Sequence, residues 1–165
     1  MEYTEILINI RKMVRSINVE SKRIQKEHGL SIPQYLCLNY LSKQEDFRST
    51  AKDIGLHLKL NPSTVTGIIS RLELKGYLAK LPNKGDRRSV YIYITALGEK
   101  AINAVPGILH EKLETKLKKL DDSELKMLQD SLSRLVEFME VDDFDAAPML
   151  TTEVKIRPAS DSTEE

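Results

Sequence analysis

The sequence predicts a mainly α-helical fold in which long amphipathic helices at both ends flank a small helix-turn-helix that runs straight into a β-hairpin. Three observations carry that reading. Apolar residues recur at spacings of three and four from Ile6 to Ile24 and again from Leu97 to Met139, the period of a helix with one apolar face. Asn61-Pro62-Ser63-Thr64 is a sharp helix start that closely follows a shorter helical segment. The β-prone run Val90-Tyr91-Ile92-Tyr93-Ile94 faces a second strand-like stretch across a polar turn. A helix-turn-helix followed directly by such a hairpin is the order of a winged helix.

Each element has its own local cause. Ile6, Ile10, Met13, Val14, Ile17 and Ile24 form the stripe of the first helix, and Gly29 supplies its stop. A helix of that length at the start of a small protein carries more apolar surface than one small core needs, so part of it reads as an interface. Ser31 and Gln34 fit a capping box around Pro33, followed by Tyr35, Leu36, Leu38, Tyr40 and Leu41 as a core helix. Thr50 to Leu58 reads as a short helix. The helix begun by Asn61 turns Val65, Ile68, Ile69 and Leu72 inward and stops at Gly76. Strands over Tyr77 to Leu81 and Ser89 to Thr95 enclose Pro82-Asn83-Lys84-Gly85-Asp86-Arg87-Arg88 as the hairpin turn. Two further helices follow. The first is capped by Thr95 and kinked at Pro106-Gly107, and the second is capped by Asp121 with Glu124 three residues on. The expected organisation is a dimerisation helix over 1–30, a winged helix-turn-helix over 31–95, C-terminal dimerisation helices over 96–141 and an acidic tail over 142–165.

Twenty-five basic and 25 acidic side chains give the 165 residues no net charge, which taken whole argues against nucleic acid as a partner. The total conceals a gradient. Residues 48–100 carry ten basic and four acidic side chains, and residues 137–165 carry two and nine. A basic middle is therefore averaged against an acidic end, which would compete with phosphate for the basic surface. No apolar run approaches the roughly 20 residues that span a bilayer, so no membrane partner is expected. The single cysteine and the absence of a basic, then apolar, leader suit the cytoplasm. His28, His57 and His110 lack neighbours at metal-ligand spacing, and no phosphate loop or nucleophile–base pattern occurs. Neither a cofactor nor catalysis is expected.

The chemistry concentrates in the basic middle. The second helix of a helix-turn-helix enters the major groove by its N-terminal end, where Ser63, Thr64 and Thr66 offer short hydroxyls. Capping alone also explains Asn61, Ser63 and Thr64. At the hairpin tip Lys84, Arg87 and Arg88 surround one acid, Asp86. Arginine suits a narrow, electronegative minor groove, and a carboxylate beside it can hold the guanidinium in place. Asp86 is expected to orient Arg88 while Arg87 and Lys84 meet the backbone. With Arg71 and Lys80 these residues make up the candidate DNA-contacting set.

The stretch from Leu56 to Lys100 resembles the DNA-binding half of MarR-type winged-helix regulators. Four blocks carry the resemblance: Asn61-Pro62-Ser63-Thr64-Val65-Thr66, Arg71-Leu72-Glu73-Leu74-Lys75-Gly76-Tyr77-Leu78, Asp86-Arg87-Arg88-Ser89 and Ile94-Thr95-Ala96-Leu97-Gly98-Glu99-Lys100. The resemblance implies a homodimer with interleaved terminal helices that binds a palindromic operator in double-stranded DNA as a repressor. It also implies a small-molecule effector pocket, for which Tyr35 or Tyr40 are candidate lining residues. It maps Ser63, Thr64 and Thr66 to the recognition helix, and Asp86 and Arg88 to an acid–arginine pair in the wing. Where many relatives carry arginine after the Val-Thr pair, this chain has Gly67. Ile10-Arg11-Lys12 through Ser21-Lys22, with Pro33-Gln34, is similar to the subgroup that regulates compatible-solute genes. Two alternatives stand beside this: a winged-helix protein-interaction module, and a thiol-based redox sensor acting through Cys37. The apolar neighbours of Cys37 favour a core residue over a sensor.

Overall fold

A computed structural model describes residues 3–82 and 90–139. The helix α1, Tyr3–His28, ends where Gly29 takes φ +66. Helix α2, Ile32–Ser42, opens on the expected capping box, with Gln34 N–H donating to Ser31 Oγ and Ser31 N–H to Gln34 Oε1. A 3₁₀ turn over Glu45–Phe47 leads into strand β1, Arg48–Thr50, and then α3, Ala51–Leu58, and α4, Pro62–Leu74. Strands β2, Leu78–Pro82, and β3, Val90–Ile94, form the hairpin, followed by α5, Ala96–Asn103, α6, Leu109–Leu117, and α7, Asp122–Phe138. The sheet runs β1-β3-β2 with both pairings antiparallel, Arg48 opposite Tyr93 and Leu78 opposite Ile94. The arrangement is mainly helical with a small three-stranded sheet, as the fold class required.

One core serves the middle of the chain. Leu38 and Leu41 of α2, Ile54 of α3, Val65 and Leu72 of α4, and Ile92 of β3 are all buried in it. The ends contribute at defined points. Ile24, near the end of α1, and Ile108, just before α6, are fully buried in the same cluster. Ser21 of α1 and Ile102 of α5 are buried as well, whereas α6 and α7 bury no residue at all.

Two features depart from the sequence reading. Strand β1 was unforeseen, because Arg48-Ser49-Thr50 has no apolar alternation; it forms by pairing with the free edge of β3. The helix after Thr95 does not kink at Pro106-Gly107 but ends, leaving the helical path after Asn103 and resuming at Leu109. Pro106 supplies no N–H and hinders continuation of the preceding turn. Val105 and Ile108, on either side, turn into the core instead.

The break creates a joint. The N-cap of α6, Ile108, makes no side-chain cap, and the Leu109 N–H donates instead to Glu20 Oε1 of α1 at 2.6 Å. A carboxylate there also complements the positive end of the helix dipole. From α2, Tyr35 donates its hydroxyl to Glu111 Oε1 at 2.7 Å. Burial first, and that hydrogen bond second, raise the Tyr35 phenol above its ordinary range. Glu114, the other acid of this helix, pairs with Lys118 at 2.6 Å on the exposed side.

Candidate nucleic-acid interface

The turn between α3 and α4 is set by close packing. Lys59 takes the left-handed conformation at φ 54, and the Leu60 N–H reaches back to the Gly55 carbonyl at 2.9 Å. A Cβ on Gly55 would stand 3.2 Å from both the Leu60 carbonyl oxygen and Val65 Cγ2. Glycine therefore permits the two helices to approach as they do. Asn61 then caps α4, its Oδ1 accepting from the Thr64 N–H at 2.8 Å, with Pro62 in the first turn.

With Val65, Ile68, Ile69 and Leu72 buried, α4 turns Ser63, Thr66 and Arg71 outward. Thr66 donates its hydroxyl to the Pro62 carbonyl at 2.8 Å, so it meets an incoming ligand as an acceptor. Arg71 follows Ser63 by eight residues, about 12 Å along the helix axis. It belongs to the far end of α4 and not to the hydroxyl cluster. Lys80, on β2, is engaged by Glu73 of α4 at 2.5 Å, which shares its charge with a carboxylate before any phosphate arrives. Lys84, Asp86, Arg87 and Arg88 lie outside the described residues, as does the acidic tail. Two exposed cations absent from the sequence set stand beside the hydroxyls. Lys52 borders a shallow groove with Thr50, Thr66 and Lys80, and Lys59 borders a second with Asn61 and Thr66. Their signal in the sequence was position alone: the first turn of α3, and the turn into α4.

Comparisons with known proteins place the chain in a family. The family model for transcriptional regulator SarA/Rot matches residues 20–105. The organic hydroperoxide resistance transcriptional regulator of Bacillus subtilis (strain 168) is 31% identical over 127 residues, 74% of this chain and 81% of that protein. The chain belongs to the MarR/SarA family of winged-helix transcriptional regulators. Among solved structures, Sco5413, a MarR family regulator from Streptomyces coelicolor, superposes with a TM-score of 0.56 at 25% identity, covering 86% of this chain and 96% of that one. Sco3205, a MarR family regulator from the same organism solved in complex with DNA, shares the fold with a TM-score of 0.60 at 17% identity, over 87% and 93% of the two chains. As a member of the MarR/SarA family the protein is a DNA-binding transcriptional regulator, and the family is not one of enzymes. Among the described residues no helix is long and apolar enough to cross a membrane.

The cysteine of this MarR-type regulator sits in the core. Cys37 is fully buried, and desolvation pushes its thiol up to about 12. At neutral pH it is a protonated thiol behind packed side chains, the reverse of the exposed thiolate that peroxide sensing needs. We expect Cys37 in the native protein to react with an aromatic disulfide such as DTNB only as fast as the chain opens, and at once in denaturant. Prompt stoichiometric reaction under native conditions would contradict this. The linkage has a definite sign. The unfolded thiol ionises near 9.0 and the native one near 12. The native advantage is therefore constant below about pH 9 and is lost as pH rises toward 12.

Proposed function

We propose that the protein acts as a homodimeric repressor on a palindromic operator, with residues 31–95 as the DNA-binding unit and residues 1–30 and 96–141 supplying the dimer interface. The observation that carries this reading is the unpartnered apolar surface of the terminal helices. Ile6, Met13 and Ile17 on α1, Leu113 on α6, and Leu128, Leu132 and Val136 on α7 are all exposed in the single chain. Contiguous apolar faces of this kind mark association sites, and a two-fold operator calls for a two-fold protein. Each protomer would set the N-terminal end of α4 in a major groove and its hairpin tip, over 83–89, against the flanking minor groove. The half-sites would then be centred about one helical turn, roughly 10 bp, apart. A small-molecule effector acting where α6 leaves the core would reach both functions at once, because Tyr35–Glu111 and Glu20–Leu109 tie that helix to α2 and α1. The cytoplasm is the compartment in which such a repressor works.

A mobility-shift titration on DNA upstream of the protein's own gene tests this reading, run with and without osmolytes and oxidant. The wild-type chain should give a saturable shift whose affinity falls steeply with salt, because several Lys and Arg contacts per protomer release counterions. Arg88→Ala should weaken it by about 1–3 kcal/mol, the usual cost of one groove contact. Full affinity in that variant removes the wing tip from the interface. Failure of the wild-type chain to shift any such fragment removes the region upstream of its own gene as the operator.

A further inference from the structure

The segment between α2 and α3 holds a construction that the DNA-binding reading does not use. Asp46 and Phe47 both take left-handed conformations, at φ 57 and 55, although neither is glycine. Phe47 gains no burial for this, since it remains 51% exposed. Strained backbone of this sort persists only where its surroundings over-determine it. What the two residues accomplish is to deliver Arg48. The Phe47 N–H closes the turn onto the Gln44 carbonyl, and the Gln44 side chain donates to the Tyr40 carbonyl, tying the turn to α2. Arg48 then lies opposite Tyr93 in the β1–β3 ladder.

Its guanidinium is held from several sides. One Nη donates to the Tyr93 hydroxyl at 2.9 Å, and the other meets Asp46 Oδ2 at 3.0 Å. The guanidinium lies over Tyr91, with Cζ 4.6 Å from the ring centroid. Tyr91 and Tyr93 meet edge to face at 6.5 Å, on the side of β3 opposite the buried Ile92 and Ile94. Unlike lysine, arginine can stack on a ring and donate in plane at the same time. Two residues after Arg48, Thr50 caps α3 by accepting from the Asp53 N–H at 3.1 Å. A single side chain thus fastens the strand that follows the hairpin tip to the start of the helix-turn-helix.

We propose that Arg48, clamped by Asp46, Tyr91 and Tyr93, is a positioning residue for DNA binding that fixes the angle of the wing relative to the recognition helix without touching DNA. This rests on the wing contacting DNA. Two elements that bind one duplex gain from a fixed relative geometry, because the second contact is then made without a further loss of freedom.

The test is a double-mutant cycle in the full-length chain, with affinity for the upstream DNA fragment measured for wild type, Arg48→Ala, Arg88→Ala and the double variant. Arg48→Ala should weaken binding about tenfold in the wild-type background and less than twofold once Arg88 is gone, because the clamp acts through the wing. Amide exchange over Val90–Ile94 should quicken while that of α4 stays unchanged. Arg48→Lys, which keeps the charge but not the planar guanidinium, should recover only part of the affinity. Equal losses from Arg48→Ala in both backgrounds, or no loss in either, overturn the clamp while leaving the wing assignment intact. An Arg88→Ala variant with full affinity overturns the wing assignment and the clamp with it. Should Arg48→Ala fail to fold, Tyr93→Phe removes one of its hydrogen bonds, keeps the ring, and carries the same cycle.

Discussion

Leu132→Asp should break the proposed dimer into monomers and reduce operator affinity by more than about a hundredfold. Along α7 and its C-cap, Leu128, Leu132, Val136 and Met139 follow one another at spacings of four, four and three, all on one face and all exposed. Leu132 lies in the middle of that stripe and is 51% exposed. A carboxylate in an apolar contact must be desolvated without a partner, which costs several kcal/mol. A two-fold interface repeats the damage, once from each protomer. Loss of the dimer separates the two half-site contacts, and the effective concentration that linked them, in the millimolar range for short connections, disappears. Sedimentation and a titration on the operator fragment report the two effects. Ser133→Asp, one residue along and turned to the polar side with Lys126 and Asp130, is the control and should change neither. A Leu132→Asp protein that still sediments as a dimer would remove α7 from the interface.

Gly98→Ala should be among the most damaging single-methyl additions in the chain. A Cβ at Gly98 would lie 2.3 Å from the Tyr77 carbonyl oxygen and 2.9 Å from Ile94 Cγ1. The clash is with backbone and cannot be relieved by a rotamer change. The same carbonyl already accepts from the Thr95 N–H at 3.0 Å, and Thr95 Oγ1 donates to the Gly76 carbonyl at 2.7 Å while accepting from the Gly98 N–H. Moving the first turn of α5 away would loosen that whole seam between the helix and the hairpin's base. We expect a loss of about 2–4 kcal/mol, at or above the upper range for overpacking, and a melting temperature lower by roughly 5–15 °C. Gly67→Ala sets the scale from the other side. Its Cβ would meet nothing within 4 Å, in the middle of α4, so the better helix former should add about 0.5–1 kcal/mol. Equal melting temperatures for Gly98→Ala and wild type would show that α5 can shift without cost.

Much of this fold was legible because its signals are local. Ser31 with Gln34, Asn61 with Pro62, and Asp121 with Glu124 each announce a helix start within four residues, and each cap forms. The inward face of α4 followed from its spacing in the same way. What escaped were relations between distant residues. Strand β1 has no pattern of its own and exists because Tyr91 to Tyr93 offer it an edge. The pairing of Lys80 with Glu73 joins a strand to a helix, so a residue chosen for its charge arrives already partnered. Pro106-Gly107 marked a disturbance correctly. Only the burial of Val105 and Ile108 shows why the chain breaks there instead of bending. Gly98 was visible as part of a family block, and the Tyr77 carbonyl supplies the reason for it.

In a dimer of the proposed kind, the bareness of α6 and α7 also makes protein abundance an input to regulation. A nine-residue helix such as α6 has little tendency to persist in water by itself. In such a dimer, therefore, the final ordering of residues 109–139 coincides with meeting a second copy. The population competent to occupy an operator then rises with nearly the square of protomer concentration when the protein is scarce. A cell holding few copies would have almost no repressor, and a modest rise in synthesis would silence the target sharply. A threshold of that kind would be set by translation and turnover before any effector binds.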